Sequence, residues 1–201
     1  MQKINFNDRY GLTQAVIEGR KTNTRLVVPW DLTERCKDFV SDAPSVGGVY
    51  VHEIEKDFYE REAPRYKIGE VVAVAQSYEN IGVKPYNYIS RPEIDGFQIV
   101  STDRGWRNKF FVRAEWMPHQ IRIAGIRCER LQDISDACCL KEGIRYVPEI
   151  DKFYFEDVSR EKCFYFDNHR EALAALIDKV SGRGTWASNP WVVVYEFELV
   201  K

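Results

Sequence analysis

Gly19-Arg20-Lys21-Thr22-Asn23-Thr24-Arg25 places three cations, two hydroxyls and one amide within seven residues at a chain reversal. Before it, Leu12, Ala15 and Val16 recur at helical spacing, Asn7 or Asp8 can cap the start, and Gly19 supplies a left-handed stop. After it, Leu26-Val27-Val28 predicts a strand. A helix that ends in glycine and hands over to a buried strand holds its connecting residues rigidly near the surface, as a binding site requires. The same residues have a purely structural reading. Lys and Arg in a last helical turn stabilise it by about 0.3–1 kcal/mol through the helix dipole, and threonines enter strands readily.

Working outward, strands are predicted at 71–75, 109–113, 120–130 and 190–199, the last with partial period-two alternation. Ser135 caps a short helix running to Lys141 and stopped by Gly143. Asn168 with Glu171 makes a capping-box-like start for a helix over 170–180, ended by Ser181-Gly182. Segments 31–63 and 78–105 hold much of the chain's Pro, Gly, Ser and Asp punctuation and read as long inserts. Val49-Tyr50-Val51-His52 with Phe58-Tyr59 predicts an antiparallel strand in the first of them.

At 201 residues, with no Gly/Ser-rich linker, repeat or low-complexity tract, the chain reads as a single domain over 1–201. The N-terminal residues lack the apolar core of a signal peptide, and no apolar run approaches the roughly 20 residues of a membrane helix, so the expectation is a cytoplasmic protein with no membrane partner. Five cysteines form no C-x-x-C pair and leave one over, so they read as reduced thiols, with neither a disulfide framework nor a metal site indicated.

A net charge of −2 excludes a protein that coats nucleic acid by bulk electrostatics, so any such contact must be local. Two basic groups are candidates: the Arg20/Lys21/Arg25 turn, and 104–113, where Arg104, Arg107, Lys109 and Arg113 alternate with Trp106, Phe110 and Phe111. Cations track phosphates while rings stack bases, so the second has the composition of a single-strand groove. Its alternative is a hairpin with Phe110 and Val112 turned inward.

The pattern Gly-x-Lys-x-x-x-Arg after a first helix resembles the signature of the ASCH domain, a PUA-like β-barrel family. The resemblance continues along the chain. Residues 64–71, Pro-Arg-Tyr-Lys-Ile-Gly-Glu-Val, are similar to the family's segment of a basic residue, Gly-Asp/Glu and a hydrophobic strand. Residues 117–123 resemble its central strand, 127–143 the following strand and short helix, and Trp186-Ala187-Ser188-Asn189-Pro190-Trp191 the closing element of longer, phage- and gut-bacterium-type members. The resemblance implies an α+β fold: a PUA-like mixed β-barrel flanked by two or three short helices, with inserts at about 31–63 and 78–105. It implies RNA or a modified nucleoside as partner and no cofactor.

One small ASCH subfamily is a metal-independent amidohydrolase that deacetylates N(4)-acetylcytidine through a Lys, a Thr three residues later and a Glu. These map onto Lys21, Thr24 and Glu142, with Glu129, Asp133 and Asp136 competing for the acidic role. The candidate binding residues are Arg20, Asn23 and Arg25 of the first turn, Trp106, Arg107 and Lys109 of the basic-aromatic stretch, His119 at a strand start, where it can hydrogen-bond a substrate, and Trp186, a loop aromatic able to line the pocket. The expected function is therefore binding of RNA or a modified nucleoside, with amidohydrolysis as the alternative and ribonuclease activity, known in some members, as a third.

Chemistry sets two conditions on hydrolysis. A free lysine is neutral only about once in 2,500 molecules at pH 7, so a Lys21 base needs its pKa lowered by about three, worth about 4 kcal/mol. Burial and Arg25 push that way, while a negative charge at Glu142 opposes them; a Lys21 that stays cationic would stabilise an oxyanion instead. In a regular strand, moreover, Lys21 and Thr24 face opposite sides.

Overall fold

The computed structural model describes residues 1–42, 51–81, 93–94, 97–98 and 104–200. The protein is α+β, and its centre is a mixed five-stranded sheet in the order β1 (Lys3–Ile4), β3 (Val71–Val74), β6 (Gln120–Arg130), β10 (Trp191–Leu199), β2 (Asn23–Val27). β1 runs parallel to β3, and the other pairings are antiparallel. Among the described residues the sheet stays open, with β1 and β2 at its edges.

The long strands β6 and β10 form where expected: β10 is rich in β-branched and aromatic residues, and β6 carries three isoleucines. Their pairing contains one irregularity: Glu196 lies opposite Gly125 but Phe197 lies opposite Ile123, leaving Ala124 as the extra residue of a β-bulge. The bulge reverses the inward parity of β6. Ile121 and Ile123 are buried on one side of it, and Cys128 on the other, so odd residues face the main core first and even residues afterwards. That core also takes Val72, Val74, Val193, Tyr195 and Phe197, while Leu131, Val192 and Val194 form a smaller cluster.

The first insert is helical. α2 (Trp30–Asp42) and α3 (Val51–Glu62) pair through Phe39 and Phe58, whose rings are 5.3 Å apart, and Tyr59 meets Trp191 of β10 at 5.3 Å. The strand expected here is thus corrected: Val51 and His52 open α3, because Ile54 and Phe58 repeat at i, i+4 among charged residues. Val49 and Tyr50 lie outside the described residues. In the second insert, β4 (Glu93–Ile94) pairs with β5 (Phe97–Gln98), and most of the remainder lies outside the described residues.

The strand expected at 109–113 is a 3₁₀ turn, Lys109–Phe111, begun by the Asn108 side chain accepting from the Phe110 amide at 3.1 Å. α1 (Leu12–Ile17), α4 (Asp136–Leu140), α5 (His169–Ser181) and α6 (Thr185–Ser188) surround the sheet. Asn168 caps α5 by accepting from Glu171 N at 2.8 Å, as its sequence predicts. Beside α5 lies an antiparallel meander of β7 (Arg145–Val147), β8 (Lys152–Asp157) and β9 (Lys162–Phe166). Arg9 clamps it to the turn before α1, donating to Asp157 at 2.7 Å and holding that carboxyl down to about 2. No helix among the described residues is long and apolar enough to cross a membrane.

Candidate active site

α1 ends at Gly19, whose φ of 72° lies in the left-handed region, and the amides of Arg20 and Lys21 both donate to the Ala15 carbonyl at 2.9 Å. The chain then docks on the turn after α4: Thr22 N and Asn23 N donate to the Lys141 carbonyl at 3.0 and 3.2 Å. That contact delivers Glu142 to Lys21. Gly143 makes the approach possible, because its φ is 104° and a Cβ there would sit 3.2 Å from Leu12 Cδ2.

Lys21 Nζ donates to Glu142 Oε2 at 2.5 Å and to the Glu142 carbonyl at 3.1 Å. Arg25 donates to Glu142 Oε1 at 2.5 Å and to Glu129 Oε1 at 2.7 Å. Arg127 continues the series, donating to Glu129 Oε2 at 2.9 Å and pairing with Glu196. Three cations and three carboxylates therefore alternate from the turns holding Lys21 and Glu142 across β2, β6 and β10. At the inner end the charges are deeply buried: Lys21 is 3% exposed and Glu142 4%. Burial pushes the Lys21 pKa below its ordinary value; Glu142 pulls it upward and Arg25 adds to the depression. For Arg25, burial also disfavours the charge, but Glu142 and Glu129 outweigh it and hold the guanidinium above its ordinary value.

A cleft of about 420 Å³ opens beside this series. Lys21, Thr24 and Arg25 form one wall, Asn5 and Phe6 another, and Ser181, Thr185 and Ser188 at the end of α5 and on α6 a third. Register explains how residues from both faces of β2 reach one cavity. Val28 N donates to Trp191 O, and Phe197 N to Thr22 O, so even-numbered residues of this stretch turn their backbone toward β10. Arg25 and Val27 turn theirs to the open edge. The cleft lies along that edge, lined by Thr24 from one face of β2, by Arg25 from the other and by Lys21 just before the strand.

The remaining candidates divide. Arg20 pairs with Glu18 at 2.5 Å, outside the cleft lining. Asn23 is buried, with its Nδ2 3.8 Å from Cys138 Sγ. His119 is half-buried at the start of β6, and its carbonyl accepts from Val74 N. Trp186 packs on the Leu131/Val192/Val194 cluster with the Arg170 guanidinium 5.5 Å from its ring, while its helix gives Thr185 and Ser188 to the cleft.

Two groove assignments are corrected. Trp106 is buried with Val112 and Met117. Lys109 is 8% exposed, its ammonium drawn inward by the Phe6 carbonyl and by Asp8 Oδ1 at 2.8 Å. Arg107 alone of these three is exposed, 3.5 Å from Glu79.

Among the acidic competitors, Glu129 serves Arg25 and Arg127, Asp136 lies 3.0 Å from His169, and Asp133 is exposed. Glu142 is the one that meets Lys21. Arg127, Glu196, Asn5 and Phe6 carry no sequence signal for the site except the i, i+2 spacing that puts Arg127 on the face of Glu129. Comparisons with protein-family models, curated proteins and solved structures gave no match to this chain.

Proposed function

We propose that this chain is an ASCH-type, PUA-like protein whose cleft takes a modified nucleoside, and that Lys21, Thr24 and Glu142 hydrolyse an acyl amide on it. The observation that carries the reading is that Lys21 and Thr24 line one cleft, with Glu142 in contact with Lys21 at 2.5 Å. The fold assignment is supported by the cleft's position. β2 is one sheet edge and Asn5 directly follows β1, the other edge, so the two margins curl toward a common cavity.

In this reaction the proton of the Lys21 ammonium first passes to Glu142, 2.5 Å away, and Thr24 Oγ1 then attacks the acyl carbon and gives its proton to the Lys21 amine so formed. The C–N bond breaks, the departing amine takes that proton, and water then cleaves the acyl-Thr24 ester. Glu142 keeps the amine oriented. Because Arg25 shares Glu142, the carboxylate favours a protonated Lys21 less than an undivided partner would.

The test is release of cytidine from N(4)-acetylcytidine, with Lys21→Ala beside the wild type. The variant is expected to lose about 10²–10⁴-fold in turnover, the usual worth of a positioned base. Equal rates would remove Lys21 from the mechanism, and an inactive wild type would remove this substrate.

A second reading, binding of single-stranded RNA, is favoured by a different surface. Phe110 and Phe111 are 67% and 53% exposed, Arg104 sits 5.5 Å from the Phe111 ring, and Arg107 is close by in sequence and exposed. Replacing both phenylalanines by alanine is expected to weaken affinity for an unstructured oligonucleotide by about 1–3 kcal/mol per base unstacked, measured by fluorescence anisotropy. Unchanged affinity would exclude this patch.

A further inference from the structure

A second cavity, of about 500 Å³, lies against α1 on the side away from the cleft. Leu12 lines the cleft, whereas Thr13, Gln14 and Ile17 fall 100–200° further around the helix at 100° per residue and line this cavity. The part of its wall that carries chemistry is Asp8, Thr13, Gln76, Asn80, Arg145 and Glu156.

The charges of this wall are already matched. Arg145 donates to Glu156 at 2.6 Å, and Asp8 Oδ1 takes the buried Lys109 ammonium at 2.8 Å together with the Thr13 hydroxyl. A phosphate or carboxylate entering here would meet two carboxylates and no uncommitted cation of the wall. An ammonium ion would meet Arg145 and Lys109 already holding both acids. The cavity therefore suits an uncharged molecule.

Its unmet demand is specific. Gln76 is 6% exposed, and its Oε1 is buried without a hydrogen-bond partner among the described residues. A buried acceptor left unpaired is costly, so a group that brings a donor to it binds with advantage. The terminal torsion of a glutamine is broad, so the amide can turn Oε1 to the cavity without leaving its place in the wall. Asn80 adds an exposed carboxamide, while that of Gln14, also in the wall, already donates to Glu18 at 3.0 Å. Paired carboxamides read the donor and acceptor edge of a nucleobase, and the volume is that of a small-molecule site.

We propose that this cavity is a second binding site, separate from the cleft, for an uncharged nucleobase or nucleoside that presents an N–H donor beside an acceptor. The inference stands on the cavity wall and does not depend on the chemistry assigned to the cleft.

The test is a titration of the full chain with adenosine, cytidine or ribose to millimolar concentration, followed by amide shifts in the NMR spectrum. It is run on the wild type, Gln76→Met, Asn80→Ala and Lys21→Ala. A nucleoside, but not ribose, is expected to move the resonances around Gln76 and Asn80. Affinity at that site should fall at least tenfold in Gln76→Met and measurably in Asn80→Ala, and should persist in Lys21→Ala. Gln76→Met should melt at or above the wild-type temperature, since it removes an unpaired acceptor. Shifts confined to the cleft, an equal response to ribose, or undiminished binding in Gln76→Met and Asn80→Ala would each overturn the proposal. If Gln76→Met does not fold, Asn80→Ala, an exposed position, decides.

Discussion

Glu142→Ala is expected to lower stability by about 3–5 kcal/mol, the usual cost of leaving buried charge without its partner. Lys21 and Arg25 both lean on this carboxylate, at 2.5 Å each, and both are almost wholly shielded from water. Arg25 keeps Glu129, but among the described residues Lys21 would retain the carbonyl of residue 142 and the Phe6 ring at 5.9 Å, with no charge partner but the repelling Arg25 nearby. Its ammonium would then have to lose its proton or draw in water. The measurement is the urea midpoint at neutral pH, converted with the wild-type slope. A loss below about 1 kcal/mol would mean that the pair is solvated and behaves like a surface salt bridge. The companion variant, Lys21→Met with Glu142→Leu, should recover most of the loss, because an apolar pair of similar volume needs no desolvation of charge. Failure to recover would locate the cost in the docking of the 141–143 turn and not in the ion pair.

Thr24→Ala is expected to reduce the turnover of N(4)-acetylcytidine by at least about 10³-fold while leaving substrate affinity within a few-fold, because only an interaction of the transition state is removed. The variant should fold normally. Thr24 is 8% exposed, and among the described residues no side-chain hydrogen bond engages its hydroxyl, so the substitution breaks no existing contact of that kind. Thr24→Ser supplies the complementary result: the hydroxyl is kept, the methyl is lost, and measurable turnover should remain. Single-turnover kinetics with saturating enzyme separate the chemical step from binding. If Thr24→Ala and the wild type turn over equally, the nucleophile is another group, and Lys21 with Glu142 would have to activate water instead.

Much of this arrangement is legible in the sequence. β10 is dense in β-branched and aromatic residues, β6 carries three isoleucines, and α5 has a glycine stop and an Asn cap that forms as read. The Gly19 turn was legible because glycine is the residue suited to a φ of 72°. Lys21 and Glu142, 121 positions apart, came together through resemblance alone; nothing local in either segment specifies the other. The errors have a common origin in local reading. Val51, Phe58 and Tyr59 are good strand formers, yet α3 takes them up, and there Phe58 and Tyr59 pack on α2 and Trp191. Lys109 reads as a solvated cation beside an aromatic run, but acceptors more than 90 residues away, the Phe6 carbonyl and Asp8, draw it inside. No window around residue 109 contains that information. Trp106 follows the same logic, buried against Val112 and Met117, while Phe110 and Phe111 stand outward in its place.

The extra residue at Ala124 makes β6 a strand of fixed count. Its two halves are in opposite phase, so the half beside Ile121 and Ile123 and the half carrying Arg127 and Glu129 are keyed to each other by a single unpaired position. Side-chain identity at Ala124 is almost free, since the residue is exposed. Its number is not. Losing one residue there turns one half of the strand over, exchanging either the isoleucines for Gln120 and Arg122 in the core or the ion series for Ile126 and Cys128 on the face that carries Arg25. Descendants of this chain can thus vary in letter at that position far more readily than in length.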